Sequence, residues 1–176
     1  MDKVIYFKND DQQKDYCRGE IYFDFLEYAF SKCDYFMLVY VNYFGKGYTA
    51  KQKYFKKALE KFKVKSRSNP SWPGTLKTFT QDTTYKIVFY KTCEEAKKIL
   101  CEVEGISDWS GPNPEDLAFF SGNQCWFYSV GHERIAAIIH ANDSDIGFLE
   151  SHDLANGAHA FAPKDNYFDA YDESIK

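Results

Sequence analysis

The sequence predicts an α+β fold: a mixed β-sheet with helices on both faces and an antiparallel three-stranded meander toward the C-terminal end. Three observations carry this. Apolar residues recur at three- and four-residue spacing over 18–33, 50–63 and 93–104, as on the buried stripe of a helix. Runs of β-forming residues at 35–41 and 83–90 alternate with those helices. Three more runs, at 117–121, 124–130 and 133–140, are separated by Gly122-Asn123 and Gly131-His132, dipeptides suited to two-residue hairpin loops.

Taken in order, Val4 to Phe7 is a short candidate strand. The stripe of the first helix is Tyr22, Phe25, Leu26, Ala29 and Cys33. Tyr35 to Val41 is nearly continuous in apolar residues, which suits a strand buried on both faces. Gly45 and Gly47 break the chain, and Thr49 can cap the next helix. That helix buries Ala50, Tyr54, Phe55, Ala58, Leu59 and Phe62. Residues 66–82 read as a loop in which Trp72-Pro73-Gly74-Thr75 suits a type II turn, with Gly supplying the positive φ.

Thr92 with Glu95 forms a capping-box pattern for the helix at 93–104, and Gly105 stops it. Asn113-Pro114-Glu115-Asp116 reads as a helical first turn. The hairpin loops fix a register in which Phe119 faces Trp126 and Leu117 faces Tyr128, while Trp126 faces Ala137 and Tyr128 faces Ile135. Both faces of this ribbon are apolar, so helices are expected on both sides. Asn142 or Asp143 can cap a last helix running through Leu149. Strand-to-strand connections that contain helices suit parallel crossovers, whence the mixed sheet.

The 176 residues fit one domain at 1–150. Residues 151–176 have no clean period and read as an acidic, aromatic tail, loosely packed or partly disordered, anchored where Phe161, Tyr167 and Phe168 find a pocket. No run approaches the roughly 18 apolar residues of a membrane span. Met1 to Asp10 lacks a secretory pattern. A cytoplasmic protein that does not engage a membrane is expected. Cys17, Cys33, Cys93, Cys101 and Cys125 sit among apolar neighbours without a CxxC pair, as buried thiols do.

The net charge of −4 hides an asymmetry. Residues 46–67 carry nine Lys or Arg against Glu60, and residues 142–176 carry eight acids against two lysines. The two regions can attract each other or face different partners. The overall acidity makes nucleic acid an unlikely partner. Even so, the basic helix, with Lys53 and Lys57 beside Tyr48 and Tyr54, has the composition of an anion- or nucleic-acid-binding face. The commoner use of such lysines is solvation.

The hairpin register places His132, Glu133, Glu115 and Asp116 at one rim. A histidine among carboxylates suits a divalent metal or acid–base hydrolysis, so these four are the candidate catalytic and metal-binding residues. The plain alternative is a helix N-terminus and a solvated turn, with at most two of the four converging, because neighbouring strand residues point to opposite faces. HExxH, GxSxG, a catalytic-cysteine signature and a phosphate loop are all absent, and no cofactor is expected. Sixteen Phe, fourteen Tyr and three Trp exceed the needs of one core. The surplus, with Tyr35, Tyr40, Tyr43 and Tyr48 around one strand and its exit, suits contact with a protein partner or a second copy. Tyr48, Tyr54, Lys53, Lys57 and Trp72 are the candidate binding residues.

Trp72-Pro73-Gly74-Thr75, Pro114-Glu115-Asp116-Leu117-Ala118-Phe119-Phe120 and Trp126-Phe127-Tyr128-Ser129-Val130-Gly131-His132-Glu133 together resemble motifs of a group of small cytosolic bacterial proteins. Some of that group carry the name stage III sporulation protein AH. The resemblance spans about residues 20–150. It implies a shared fold and carries over no catalytic residue. The leading expectation is a non-enzymatic, protein-binding domain of immunity or regulatory type. A metal-assisted hydrolase is the second reading, and anion binding the third.

Overall fold

A computed structural model describes residues 3–9, 14–76 and 82–161. In chain order its elements are β1 (Lys3–Phe7), α1 (Glu20–Lys32), β2 (Tyr35–Asn42), α2 (Ala50–Leu59), β3 (Lys63–Ser68), β4 (Ser71–Trp72), β5 (Thr75–Leu76), β6 (Thr84–Lys91), α3 (Glu94–Leu100), β7 (Glu115–Ser121), β8 (Gln124–Val130), β9 (Ile135–Ala141), α4 (Asp143–Ser151) and β10 (Ala155–Phe161). Eight strands form one sheet in the order β10-β1-β9-β8-β7-β2-β6-β3, and β4 and β5 form a separate small hairpin. The α+β class expected from the sequence holds.

The sheet is antiparallel throughout and not mixed. The reason lies in the connections. Following the alternation along the sheet, β1 and β2 point the same way, as do β2 and β3, β6 and β7, and β9 and β10. The four helices join these parallel strands, but other strands are inserted between each pair. Helical crossovers are therefore present, yet no two strands they join are neighbours.

The same order decides where the helices lie. Strands pointing one way cross toward β3, and strands pointing the other way cross toward β10. Turning the sheet half a turn in its own plane interchanges the two cases, so crossovers of one hand all fall on one face. The helices accordingly share a single core with that face. It contains Tyr22, Phe25, Leu26 and Ala29 of α1, Phe55 and Leu59 of α2, Ala96 and Leu100 of α3, and Leu149 of α4. Helices on both faces, as expected from the apolar strands, are not what forms. The second face has its own cluster, built from strand residues and Trp72.

The caps explain where the helices begin. Thr49 Oγ1 accepts from Gln52 N (3.0 Å) and Asn142 Oδ1 accepts from Asp145 N (3.0 Å), both as the sequence predicts. Buried Gln52 also serves as a strand partner: Val41 N donates to its Oε1 (2.8 Å) and its Nε2 donates to Val41 O (3.2 Å). Asp145 ties α1, α4 and β8 together. Its carboxylate accepts from Tyr28 Oη (2.8 Å), Trp126 Nε1 (3.3 Å), Asn142 N (2.9 Å) and the Lys32 ammonium.

Several sequence expectations are corrected. Residues 63–68 form edge strand β3 and not helix end and loop. Thr92 does not cap α3, because its hydroxyl donates to Cys33 O (2.6 Å) and Cys93 takes the cap position. Glu115 and Asp116 open strand β7 and not a helix, with Pro114 just before the strand, where its missing N–H costs nothing. Ser121 pairs with Gln124 across Gly122-Asn123, but a bulge then sets Phe119 against Phe127 instead of Trp126. The bulge turns Trp126 and Phe127 alike toward the helices and Tyr128 toward the other face. The second turn spans Gly131 to Arg134, so Tyr128 faces Ala137 and Val130 faces Ile135. β7, β8 and β9 lie inside the eight-stranded sheet between β2 and β1. Residues 155–161, read as the start of a loose tail, form edge strand β10 against β1. The rest of that tail, with Tyr167 and Phe168, lies outside the described residues.

Candidate functional site

The three strings singled out in the sequence converge on one carboxylate. Asp116 lies in β7 beside a register shift against β2, with φ of 58°. This left-handed conformation turns its side chain inward. Trp72 Nε1 (2.8 Å) and Thr75 Oγ1 (3.3 Å) donate to Oδ2, and Gly131 N (3.0 Å) donates to Oδ1. Hairpin β4–β5 is thereby clamped to the sheet and to the turn after β8.

The glycines around this clamp are fixed by space. A Cβ on Gly131 would stand 2.2 Å from Trp109 O, and one on Gly74, at φ of 83°, would stand 2.4 Å from the Tyr128 ring. The two turns can therefore close only on glycine. Asp116 is 1% exposed, and burial, the largest influence on it, holds its carboxyl above the usual aspartate range against the lowering pull of its hydrogen bonds. The folded protein thus grips the Asp116 proton more tightly than the unfolded chain does. From about pH 4 upward, wild type is expected to lose stability relative to Asp116→Asn until the folded carboxyl has ionised. Paired urea titrations at pH 4 to 8 measure this, and a pH-independent difference would contradict it.

The rest of the expected rim is dispersed. Glu115 accepts from Tyr43 Oη (2.6 Å), and burial, aided by this bond, holds the Tyr43 phenol well above its ordinary range. His132 and Glu133 sit half-exposed on the turn, with ring nitrogen and carboxylate 3.6 Å apart. Among the described residues, no three His, Cys, Asp or Glu side chains come together in a way that could hold a metal ion. The apparent rim joins a structural carboxylate, a phenol-bound glutamate and a solvated pair.

The candidate binding residues also separate. Trp72 is 1% exposed and is committed to Asp116 and to the Tyr85 ring, 5.1 Å away. It therefore has no surface to present. Lys53 and Lys57 are exposed on α2, one turn apart. Tyr54, half-exposed, donates to Glu102 Oε2 (2.7 Å). The Tyr48 ring lies against Tyr40 and beneath the Lys56 ammonium.

Tyr54 stands at an open cleft of about 1040 Å³ between α2, the loop before β7 and the turn after β8. The acids lining it are engaged. Glu104 and Asp108 hold Arg18, Glu102 holds Tyr54, and Asp15 accepts from the amides of Cys17 and Ser107. Cys17 and Cys33 are buried, which pushes both far above the ordinary thiol range, and all five cysteines are unpaired by disulfide.

The most exposed large apolar side chain among the described residues stands next to the chain break at Gly45 and Gly47 and carried no sequence signal of its own. Phe44 is 69% exposed at the exit of β2, with φ of 55°, a conformation that bulky residues seldom adopt. Its turn is firmly held. Phe44 N donates to Thr83 Oγ1 (3.2 Å), Lys46 N to Tyr43 O (3.1 Å) and Gly47 N to Asn42 Oδ1 (2.8 Å), while Tyr43 is fixed by Glu115. Neighbouring Tyr43 is 42% exposed. The available signal was the tyrosine cluster around β2 together with Gly45 and Gly47. It marked the region without marking the residue.

No protein-family model matches the chain, and no curated protein or solved structure is detectably similar to it. No helix among the described residues is long and apolar enough to cross a membrane.

Proposed function

We propose that this chain is a protein-binding domain of regulatory or immunity type, and that it anchors its partner on the turn carrying Tyr43 and Phe44. The observation that carries this is Phe44 itself. An apolar ring is held out in solvent, on a left-handed residue, by a turn pinned to two other segments of the chain, at Thr83 and Glu115, and closed on itself through Asn42. A left-handed phenylalanine costs about 1–2 kcal/mol, and this ring, largely in solvent, lies beside the adjacent Tyr43 ring with centroids 6.4 Å apart. A preorganised aromatic of this kind is suited to fill a partner's pocket with little loss of entropy on binding.

The test is a photo-crosslinking phenylalanine analogue at position 44, with the same analogue at exposed Lys57 as control. A discrete adduct formed at 44 and not at 57 is expected in cells. Phe44→Gly separates binding from folding: it relieves the left-handed strain, so the melting temperature should hold or rise while the adduct partner is no longer retained. Equal retention of that partner by Phe44→Gly, or adducts at 44 no more discrete than at 57, would remove the reading.

A further inference from the structure

The open cleft beside α2 combines committed acids with uncommitted cations. Its four carboxylates face partners in the same chain: Arg18 for Glu104 and Asp108, the Tyr54 phenol for Glu102, and two backbone amides for Asp15. Burial, the largest influence on Asp15, also holds its carboxyl above the usual aspartate range. Lys51 and Arg134 line the same cleft, and neither side chain has a hydrogen-bond or ion-pair partner among the described residues. Two cations thus stand on different walls, Lys51 on α2 and Arg134 on the turn after β8.

Both positions are held by the fold. Arg134 has φ of 53°, a conformation that favours glycine or asparagine, yet an arginine occupies it. Its amide donates to Gly131 O (3.1 Å) and its carbonyl accepts from Asn9 Nδ2 (3.3 Å). Lys51 lies in the first turn of α2, which Thr49 ties to the loop before β7: the Thr49 hydroxyl accepts from Gln52 N and donates to Pro112 O. Tyr54, three residues from Lys51 and so on the same side of the helix, also lines the cleft. Its ring meets Phe55 edge to face, with centroids 5.3 Å apart, and its hydroxyl is fixed on Glu102.

We propose that this cleft binds a nucleoside diphosphate, with its base against Tyr54 and its phosphates between Lys51 and Arg134. Cations on two walls call for anionic groups at two points, and a guanidinium fork combined with an ammonium suits phosphate oxygens. A fixed phenol ring takes the flat face of a base without reading its edge. The cleft volume of about 1040 Å³ is at the upper end of the range for small-molecule sites and has room for such a ligand. The site uses none of the residues of the Tyr43–Phe44 turn.

Calorimetric titration of the full-length chain with ADP, GDP, CDP and UDP, and with inorganic pyrophosphate, tests this. At least one nucleotide should bind about tenfold or more tightly than pyrophosphate, the margin that stacking on Tyr54 supplies. Lys51→Glu and Arg134→Gly should each weaken that nucleotide about tenfold or more. Arg134→Gly also relieves the left-handed strain, so its melting temperature should hold or rise, which separates loss of ligand from loss of fold. Lys57→Glu makes the same charge change on α2 outside the cleft and should alter the affinity little. Failure of all four nucleotides to bind at millimolar concentration would overturn the proposal. So would pyrophosphate binding as tightly as the nucleotides, or Lys57→Glu weakening them as much as Lys51→Glu.

Discussion

Asp116→Ala is expected to destabilise the protein by about 3–5 kcal/mol, enough to threaten folding of a domain of ordinary stability. The side chain contributes little apolar area. The loss comes from what it leaves behind: the Trp72 indole N–H, the Thr75 hydroxyl and the Gly131 amide, all donating into a site closed to water. Urea denaturation measures the loss. Trp72→Phe removes one donor and leaves the carboxylate its other two, so its cost should be smaller, and the double variant should cost less than the sum. Strict additivity would show that the clamp does not act as a unit.

Phe25→Ala carries the other large effect, also about 3–5 kcal/mol. Its ring meets Phe7 at 5.3 Å, Phe127 at 4.7 Å, Phe119 at 6.1 Å and Trp126 at 6.2 Å between centroids, and so joins α1 to three strands, β1, β7 and β8. Neighbours that are themselves interlocked rings cannot collapse into the space, so the cavity term is near its maximum. Phe25→Leu should recover more than half of the loss. A Phe25→Ala variant within 1 kcal/mol of wild type in chemical denaturation would refute this account of the core.

The elements that were legible in the sequence are those whose signal is local. α1 and α2 follow from apolar spacing, and the Thr49 and Asn142 caps from side chains that bond their own helix. Gly122-Asn123 closes its hairpin because two residues suffice. What was not legible depends on partners distant in sequence. β3 has one apolar residue, Val64, and that residue is exposed, because an edge strand carrying lysines needs no buried side. Asp116 looked like a helix-start residue, since nothing near it announces that Trp72 and Thr75, more than forty residues upstream, will bond it. The faces of Phe127 and Tyr128 were missed because a bulge adds one residue that no alternation pattern records.

The candidate site followed the same rule. Proximity of His132, Glu133, Glu115 and Asp116 was inferred from register, yet the left-handed Asp116 commits its buried carboxylate to Trp72, Thr75 and the Gly131 amide. Phe44 was hidden for the opposite reason. A single phenylalanine next to glycines has no periodicity, and its exposure is set by Thr83, Asn42 and Glu115 holding the turn.

The interleaved strand order also governs how the polypeptide is born. β1 emerges first from the ribosome but acquires its neighbours only once β9 and β10 have been made, well over a hundred residues later. β2, destined for the interior, waits likewise for β6 and β7. Through most of synthesis the nascent chain thus exposes sticky, unpaired edges. Its folding should be slow, on the order of milliseconds to seconds, as for topologies rich in distant contacts. Such a chain gains most from chaperone shelter in the interval before its last strand is released.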